Sequence, residues 1–145
     1  MLFQIRAAGE NDASAVYHFI CLLEETLFDK AAFERIFKSN IYNKDIYYLV
    51  AETEGGRVAA FISCHTQNLL HHCGKVAEIQ ELFVAEEYRS LGVGRLLVNA
   101  LEEKLRAASC CSFEVTAQNK RLQTHAFYEK AGFESTHKKF VKQII

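Results

Sequence analysis

The residues Arg89-Ser90-Leu91-Gly92-Val93-Gly94 form the segment of this chain best suited to holding an anion. Two glycines one residue apart let the backbone turn tightly and come close to a ligand. A helical apolar period begins directly after them, so the first amides of that helix have no intrahelical acceptor. Those amides, with aligned peptide dipoles behind them, suit a phosphate group. Arg89 can add a charge-assisted bond to a phosphate oxygen. The segment is neither a dinucleotide fingerprint nor a P-loop, because the GxGxxG pattern is incomplete and no Gly-Lys-Ser/Thr follows. Read alone, it is equally a glycine-assisted helix start.

A second constellation runs from Asn119 to Phe133, a polar loop feeding a short helix that carries Phe127 and Tyr128. A tyrosine hydroxyl beside a reacting sulfur can protonate a departing thiolate; a half-buried packing role is the alternative. Glu78 and Glu81 lie inside an otherwise apolar strand, where an acid either sits at a core edge or has a chemical task. His71-His72 with Glu78 or Glu81 would offer the imidazole and carboxylate mixture that zinc, nickel or manganese accept. Two solvent-exposed histidines in a loop are the alternative, and no metal ligand set is assigned. The five cysteines (Cys21, Cys64, Cys73, Cys110 and Cys111) show no CxxC spacing. No motif brings Cys73 or Cys111 to a histidine as a nucleophile would require.

Positioning these residues falls to a regular alternation of elements. Phe3–Ala7 reads as a strand. Asn11 or Asp12 caps a helix with Val16, Tyr17, Ile20 and Leu23 on its apolar stripe. A second helix starts at Asp29, turns Phe33, Ile36 and Phe37 inward and ends near Ser39-Asn40. Tyr47–Ala51 and Val58–His65 make a hairpin across the Gly55-Gly56 turn. Thr66–Lys75 reads as a polar loop before a third strand, Val76–Val84. The two-residue period of that strand sets Glu78, Gln80, Leu82 and Val84 on one face and Ile79, Glu81 and Phe83 on the other. From Gly92 a helix carries Val93, Leu96, Leu97, Ala100, Leu101 and Leu105 on one stripe. Cys111–Thr116 is a strand, Leu122–Lys130 a helix capped by Ala131-Gly132, and Phe133–Ile144 a last extended segment. The result is one α/β domain over residues 1–145, a mixed sheet with helices packed against it.

Composition removes several functions. Seventeen Lys and Arg against eighteen Asp and Glu leave a formal charge of -1, which takes away the usual electrostatic basis for tight nucleic-acid binding. Lys138, Lys139 and Lys142 then read as a solvated face. No apolar run approaches a membrane span, and the opening residues lack the pattern of a signal peptide. Unpaired thiols agree with a reducing cytoplasm.

Taken together, Arg89 through Gly94 and Phe127 through Phe133 resemble two elements of the GNAT superfamily, the Gcn5-related N-acetyltransferases: Arg/Gln-x-x-Gly-x-Gly/Ala, and a tyrosine-bearing helix followed by Gly-Phe. Their order, with a long helix and a strand between, extends the resemblance over essentially the whole chain. It implies that the parallel strands Val76–Val84 and Cys111–Thr116 splay apart to receive acetyl-coenzyme A. Backbone around Leu82, Phe83 and Val84 would pair with the pantetheine arm. Amides of Leu91, Gly92, Val93, Gly94 and Arg95, with the side chain of Arg89, would hold the pyrophosphate, and Asn119 would touch the cofactor near the second strand's exit. Tyr128 would be the general acid and Glu78 the general base, in direct transfer to an amine without an acetyl-enzyme intermediate. Homodimers are common in such enzymes, so the resemblance is compatible with a homodimer, although the sequence itself supplies no symmetry or interface.

Within the superfamily, His71-His72, Ala77 to Val84, Lys120-Arg121, His125, Phe127-Tyr128 and Phe28 to Phe33 are similar to the aminoalkylphosphonate N-acetyltransferases. Thr124 departs from the Ala common in that branch. The resemblance implies a small primary amine with an anionic group as acceptor, and a divalent metal in some members. Other small amines, a protein N terminus or lysine, and a non-catalytic acyl-coenzyme A binding module are the alternatives.

Overall fold

Branched and aromatic residues between Ile46 and Val84 build three consecutive antiparallel strands around which the rest of the chain is arranged. The computed structural model describes residues 1–145. Its order is β1 (Phe3–Ala7), α1 (Ala13–Glu24), α2 (Lys30–Ile41), β2 (Ile46–Thr53), β3 (Val58–Leu69), β4 (Gly74–Val84), α3 (Val93–Ala107), β5 (Ser112–Val115) and α4 (Leu122–Lys130). The sheet runs β1-β2-β3-β4-β5, antiparallel except for the parallel pair β4 and β5. One face receives α1 and α2, with Phe19 against Phe83 and Phe37 against Tyr48. Val84, which points the opposite way from Phe83, meets the start of α3 at Gly94. The α3 stripe is buried at Val93, Leu97, Leu101 and Leu105, with Val98 beside it.

The mixed α/β sheet with flanking helices is the expected architecture, and four local readings are corrected by it. First, no loop spans Thr66–Lys75: β3 continues to Leu69, a short turn covers Leu70–His72, and β4 begins at Gly74. Thr66 holds the longer strand in place, because its amide and hydroxyl both donate to the carbonyl of Asp45. Second, the ladder between β3 and β4 pairs Cys64 with Ile79 and Ser63 with Glu81, leaving Gln80 bulged. His65 faces Glu78 across the same ladder, so Glu78 and Glu81 share the face of β3 that carries Ser63 and His65. An unbroken two-residue period had set them on opposite faces. Third, Phe133–Ile144 forms no strand. Phe133 turns in against Phe113 and Tyr128, whereas Phe140, Val141 and Ile144 beyond it are exposed. Fourth, Ile36 and Leu96 lie outside the buried stripes of α2 and α3, being 55% and 44% exposed.

The second helix starts at Asp29 as expected, and the Asp29 carboxylate caps it, accepting the amide of Ala32 at 3.0 Å. Asp12 precedes α1 but does not cap it through its side chain. Its carboxylate instead accepts both ends of the Arg6 fork, at 2.8 and 3.0 Å, and the amide of Gly9 at 2.7 Å. Arg6 also reaches Glu52 at 2.7 Å, tying β1, β2 and the start of α1 together. Burial pushes the Asp12 carboxyl up, but the Arg6 fork, the Gly9 amide and the Arg6 charge outweigh it and hold the pKa below the ordinary carboxylate value.

Candidate active site

The ladder between β4 and β5 runs only from Val76 opposite Ser112 to Ile79 opposite Val115. Beyond it β4 continues through Gln80 to Val84 with no strand on that side. This is the expected splay, and Leu82, Phe83 and Val84 lie along its unpaired edge. The side chain of Phe83 is buried against Phe19, so only its backbone is available to a ligand. Bulging at Gln80 and loss of the β5 partner occur at the same point in β4.

The chain then turns through Glu86–Tyr88 into a series of unpartnered amides. The N–H of Arg89 donates to Glu86 at 3.2 Å and that of Leu96 to Gly92 at 3.1 Å, while no N–H from Ser90 to Arg95 has an acceptor within the protein. Ser90 and Gly92 both have positive φ, 64° and 81°, so the backbone turns tightly through this segment. Nothing lies within 4 Å of where a Cβ on Gly92 would be, so its neighbourhood is open. Gly94 has a different reason to be small: a Cβ there would stand 3.4 Å from the Phe127 ring. The left-handed Ser90 gave no sequence signal, since serine does not mark positive φ as glycine does.

Arg89 folds back over the end of β4, its Nε donating to the Val84 carbonyl at 3.0 Å and its guanidinium 5.4 Å from the Phe83 ring centre. It stands at the rim of the splay beside the free amides. The Arg95 side chain points elsewhere, donating to Asn99 at 3.3 Å and to the Lys130 carbonyl at 3.1 Å. Its amide is among the unpartnered ones, whereas its guanidinium caps the end of α4.

Tyr128 is 7% exposed, with its ring against Phe127 and Phe133, and Phe133 in turn packs on Phe113 of β5. Gly132, at φ 97°, ends the helix so that the Phe133 amide returns to the Tyr128 carbonyl at 3.0 Å. The Tyr128 hydroxyl has no hydrogen bond to the protein, and no fully buried side-chain oxygen is unpaired, so it reaches an accessible surface. Burial pushes its pKa up to about 12. It therefore stays protonated throughout the ordinary pH range.

Glu78 is half-buried, with Gln80 Nε2 donating to one carboxylate oxygen at 3.1 Å and Thr116 Oγ1 to the other at 3.3 Å. It lines a cavity of about 150 Å³ with His65, Gln67, Val76 and Glu114. No hydrogen bond joins Glu78 to Tyr128. Glu81 is engaged locally: the Ser63 hydroxyl donates to its carboxylate, and its own amide donates to that hydroxyl at 3.0 Å. Asn119 lies exposed in the turn before α4.

The histidine pair does not form a metal centre with these acids. The His71 and His72 rings lie 4.5 Å apart, tilted by 59°, and His72 lies 3.6 Å from Glu114. No group of three or more His, Cys, Asp or Glu side chains converges, which is fewer ligands than a protein site needs. All five cysteines are free. Burial pushes the Cys64 thiol up to about 12, so it is inert as a nucleophile at neutral pH.

The pattern of the acetyltransferase (GNAT) family matches residues 13–133, which contain the splay, the amide cradle and the tyrosine helix. This chain belongs to the GNAT acetyltransferase family. The acetyltransferase is 33% identical over 141 residues to the aminoalkylphosphonate N-acetyltransferase of Salmonella typhimurium, covering 97% of this chain and 91% of that protein. Its structure is similar to that of glucosamine-6-phosphate N-acetyltransferase from Arabidopsis thaliana, with a TM-score of 0.80 and 25% identity over the whole of both chains. It shares its fold with the aminoglycoside 6'-N-acetyltransferase of Acinetobacter baumannii, with a TM-score of 0.84 at 22% identity, over 99% of each chain. Acetyl-coenzyme A is accordingly the cosubstrate of this acetyltransferase. No helix is long and apolar enough to cross a membrane.

Proposed function

We propose that this acetyltransferase moves the acetyl group of acetyl-coenzyme A to the primary amine of a small molecule bearing an anionic group, an aminoalkylphosphonate first among them. The observation that carries the cofactor half is the run of unpartnered amides from Ser90 to Arg95 beside the unpaired end of β4. Amides of Leu91, Gly92, Val93, Gly94 and Arg95 take the pyrophosphate, with Arg89 at the rim. The backbone of Leu82 to Val84 takes the pantetheine arm as a further strand, and Asn119 meets the cofactor at the exit. The acceptor half draws on the similarity to the Salmonella enzyme.

An alkylammonium ion has no lone pair, so the reaction begins with loss of a proton. Glu78, oriented by Gln80 and Thr116, accepts it through water. The freed amine attacks the thioester carbonyl and the C–N bond forms. As the C–S bond breaks the thiolate takes the Tyr128 proton, and the remaining extra proton on the nitrogen passes through water to the Tyr128 phenolate, leaving a neutral amide and restoring the tyrosine. Holding both reactants in one splay supplies much of the rate.

A second reading has support of its own. The cavity beside Glu78 also carries Glu114, and two carboxylates in one cavity suit a polyamine or a lysine peptide. A panel of 2-aminoethylphosphonate, taurine, β-alanine, spermidine and a lysine peptide, each with and without a chelator, separates the two. Preference for the first three supports the proposal; preference for the last two overturns its acceptor half. Loss of activity with chelator would restore a metal requirement that the side chains do not suggest. The exposed Phe140, Val141 and Ile144 suit cover by a second subunit, and the free thiols suit the cytoplasm.

A further inference from the structure

Of the 17 lysines and arginines, three are drawn in from solvent: Arg6, Lys75 and Arg121. Arg6 meets Asp12 and Glu52, and Lys75 meets Asp45. Arg121 meets no carboxylate. Its Nη2 donates only to the carbonyl of Leu23, 3.3 Å away and 98 positions earlier in the chain. A guanidinium stays charged and offers five N–H donors, so a half-buried one bound to a single carbonyl still lacks a counter-ion.

Its place in the fold says what that counter-ion is. Arg121 immediately precedes α4, and His125 and Tyr128 follow at four and seven positions, along one side of the helix. His125 is turned away to the Gln118 carbonyl, at 2.7 Å. Leu23 lies in the last turn of α1, where the chain leaves the helix through a left-handed Glu25. Arg121 thus stands where the end of α1 meets the start of the tyrosine helix. Two helical turns set it about 10 Å from Tyr128 along the axis, a separation that two long side chains and a small molecule fill. Neither of the other arginines near this helix is free in the same way: Arg95 is bonded to Asn99 and Lys130, and Arg89 belongs to the pyrophosphate rim.

We propose that Arg121 is the specificity-determining residue of the acceptor site, receiving the anionic end of the amine substrate through its remaining N–H groups. The proposal rests on the small-amine reading above and deepens it. Phosphonate, sulfonate and carboxylate all present two oxygens to such a fork. The ligand is an ω-amino acid in the broad sense: amine toward Tyr128 and Glu78, anion toward Arg121.

The test compares kcat/KM for 2-aminoethylphosphonate with that for propylamine, in wild type, Arg121→Gln and Arg121→Lys. Wild type should favour the phosphonate. Arg121→Gln should lose at least twentyfold on the phosphonate, chiefly in KM, with propylamine and acetyl-coenzyme A binding within threefold of wild type. Equal losses on both amines would show that Arg121 only tethers α1, and would overturn the proposal. A wild-type preference that survives Arg121→Gln overturns it too, while leaving the acceptor reading intact. A wild type without the preference overturns that reading and this proposal together. Should Arg121→Gln not fold, Arg121→Lys keeps the charge but not the fork; a fivefold fall in the ratio supports the proposal, and an unchanged ratio overturns it.

Discussion

The ring of Phe127 rests on Gly94, so close that a methyl group at Gly94 would stand 3.4 Å from two of its carbons. The start of the α3 cradle and the helix that carries Tyr128 are therefore in direct contact, and the size of one residue sets the position of the other. Gly94→Ala should cost little stability, because better helix propensity, worth about 1 kcal/mol, offsets the tight contact. Gly94→Val must push α4 outward. At saturating acetyl-coenzyme A, kcat should fall less than threefold in the first variant and at least tenfold in the second.

Gly92 adopts φ 81° in open space, with its amide among the unpartnered ones. Gly92→Glu adds left-handed strain of about 1–2 kcal/mol and puts a negative charge at the proposed diphosphate site. Calorimetry should show acetyl-coenzyme A binding weakened at least a hundredfold. Gly92→Asn, which tolerates this conformation and keeps the amide, should stay within tenfold of wild type. Equal affinities for all three proteins would remove the cradle from the cofactor site.

The Tyr128 hydroxyl makes no hydrogen bond to the protein, so Tyr128→Phe should unfold in urea within about 0.5 kcal/mol of wild type. Its kcat should nevertheless fall at least tenfold, with acetyl-coenzyme A affinity retained. The pKa of about 12, above the ordinary 10, also has a stability consequence. Above pH 10 the unfolded chain loses this proton before the folded one does. The contribution is complete below that pH and is lost as pH rises from about 10 to about 12, a loss that Tyr128→Phe should not show.

Glu78→Gln keeps one acceptor oxygen, for Gln80, and turns an N–H toward the Thr116 hydroxyl, which can accept it, but the amide cannot take a proton. At pH 7 its kcat/KM should drop about a hundredfold. Raising the pH should recover much of this loss, because a larger share of the amine then arrives already neutral. An equal deficit at every pH would assign Glu78 to binding instead of proton removal.

Asp12 is nearly buried and holds the Arg6 fork. Asp12→Ala leaves Arg6 with Glu52 alone and should cost about 3 kcal/mol in urea unfolding at pH 7. Because the folded carboxyl titrates below its ordinary range, the stabilisation is complete above that range and lost as pH falls through the folded value. The difference between wild type and Asp12→Ala should therefore narrow steadily below pH of about 4.

Much of the candidate site could be read from the chain because its signals are local. Glycines at 92 and 94 ahead of a helical apolar stripe, and Phe127-Tyr128 before Gly132-Phe133, depend on dihedral preferences and amide pairing within a few residues. The element order followed for the same reason. Sequence alone did not reveal the bulge at Gln80. Counting by two assumes an unbroken ladder, and the break is set by how β3 pairs with β4. Two further features were beyond local reading: β3 and β4 extend through the expected loop, and Phe133 closes on Phe113 instead of opening a sixth strand.

The types and spacing of residues thus determined the order of elements, the glycine turn ahead of α3 and the tyrosine helix, and their resemblance to the GNAT superfamily implied acetyl transfer. Tertiary structure decided which acids share a face, which histidines lack partners for a metal, and which half-buried arginine is left without a carboxylate. Each of these depends on groups far apart in the chain, as the bond from Arg121 to Leu23 shows. Such meetings are fixed by packing and strand register, which short-range propensities do not encode.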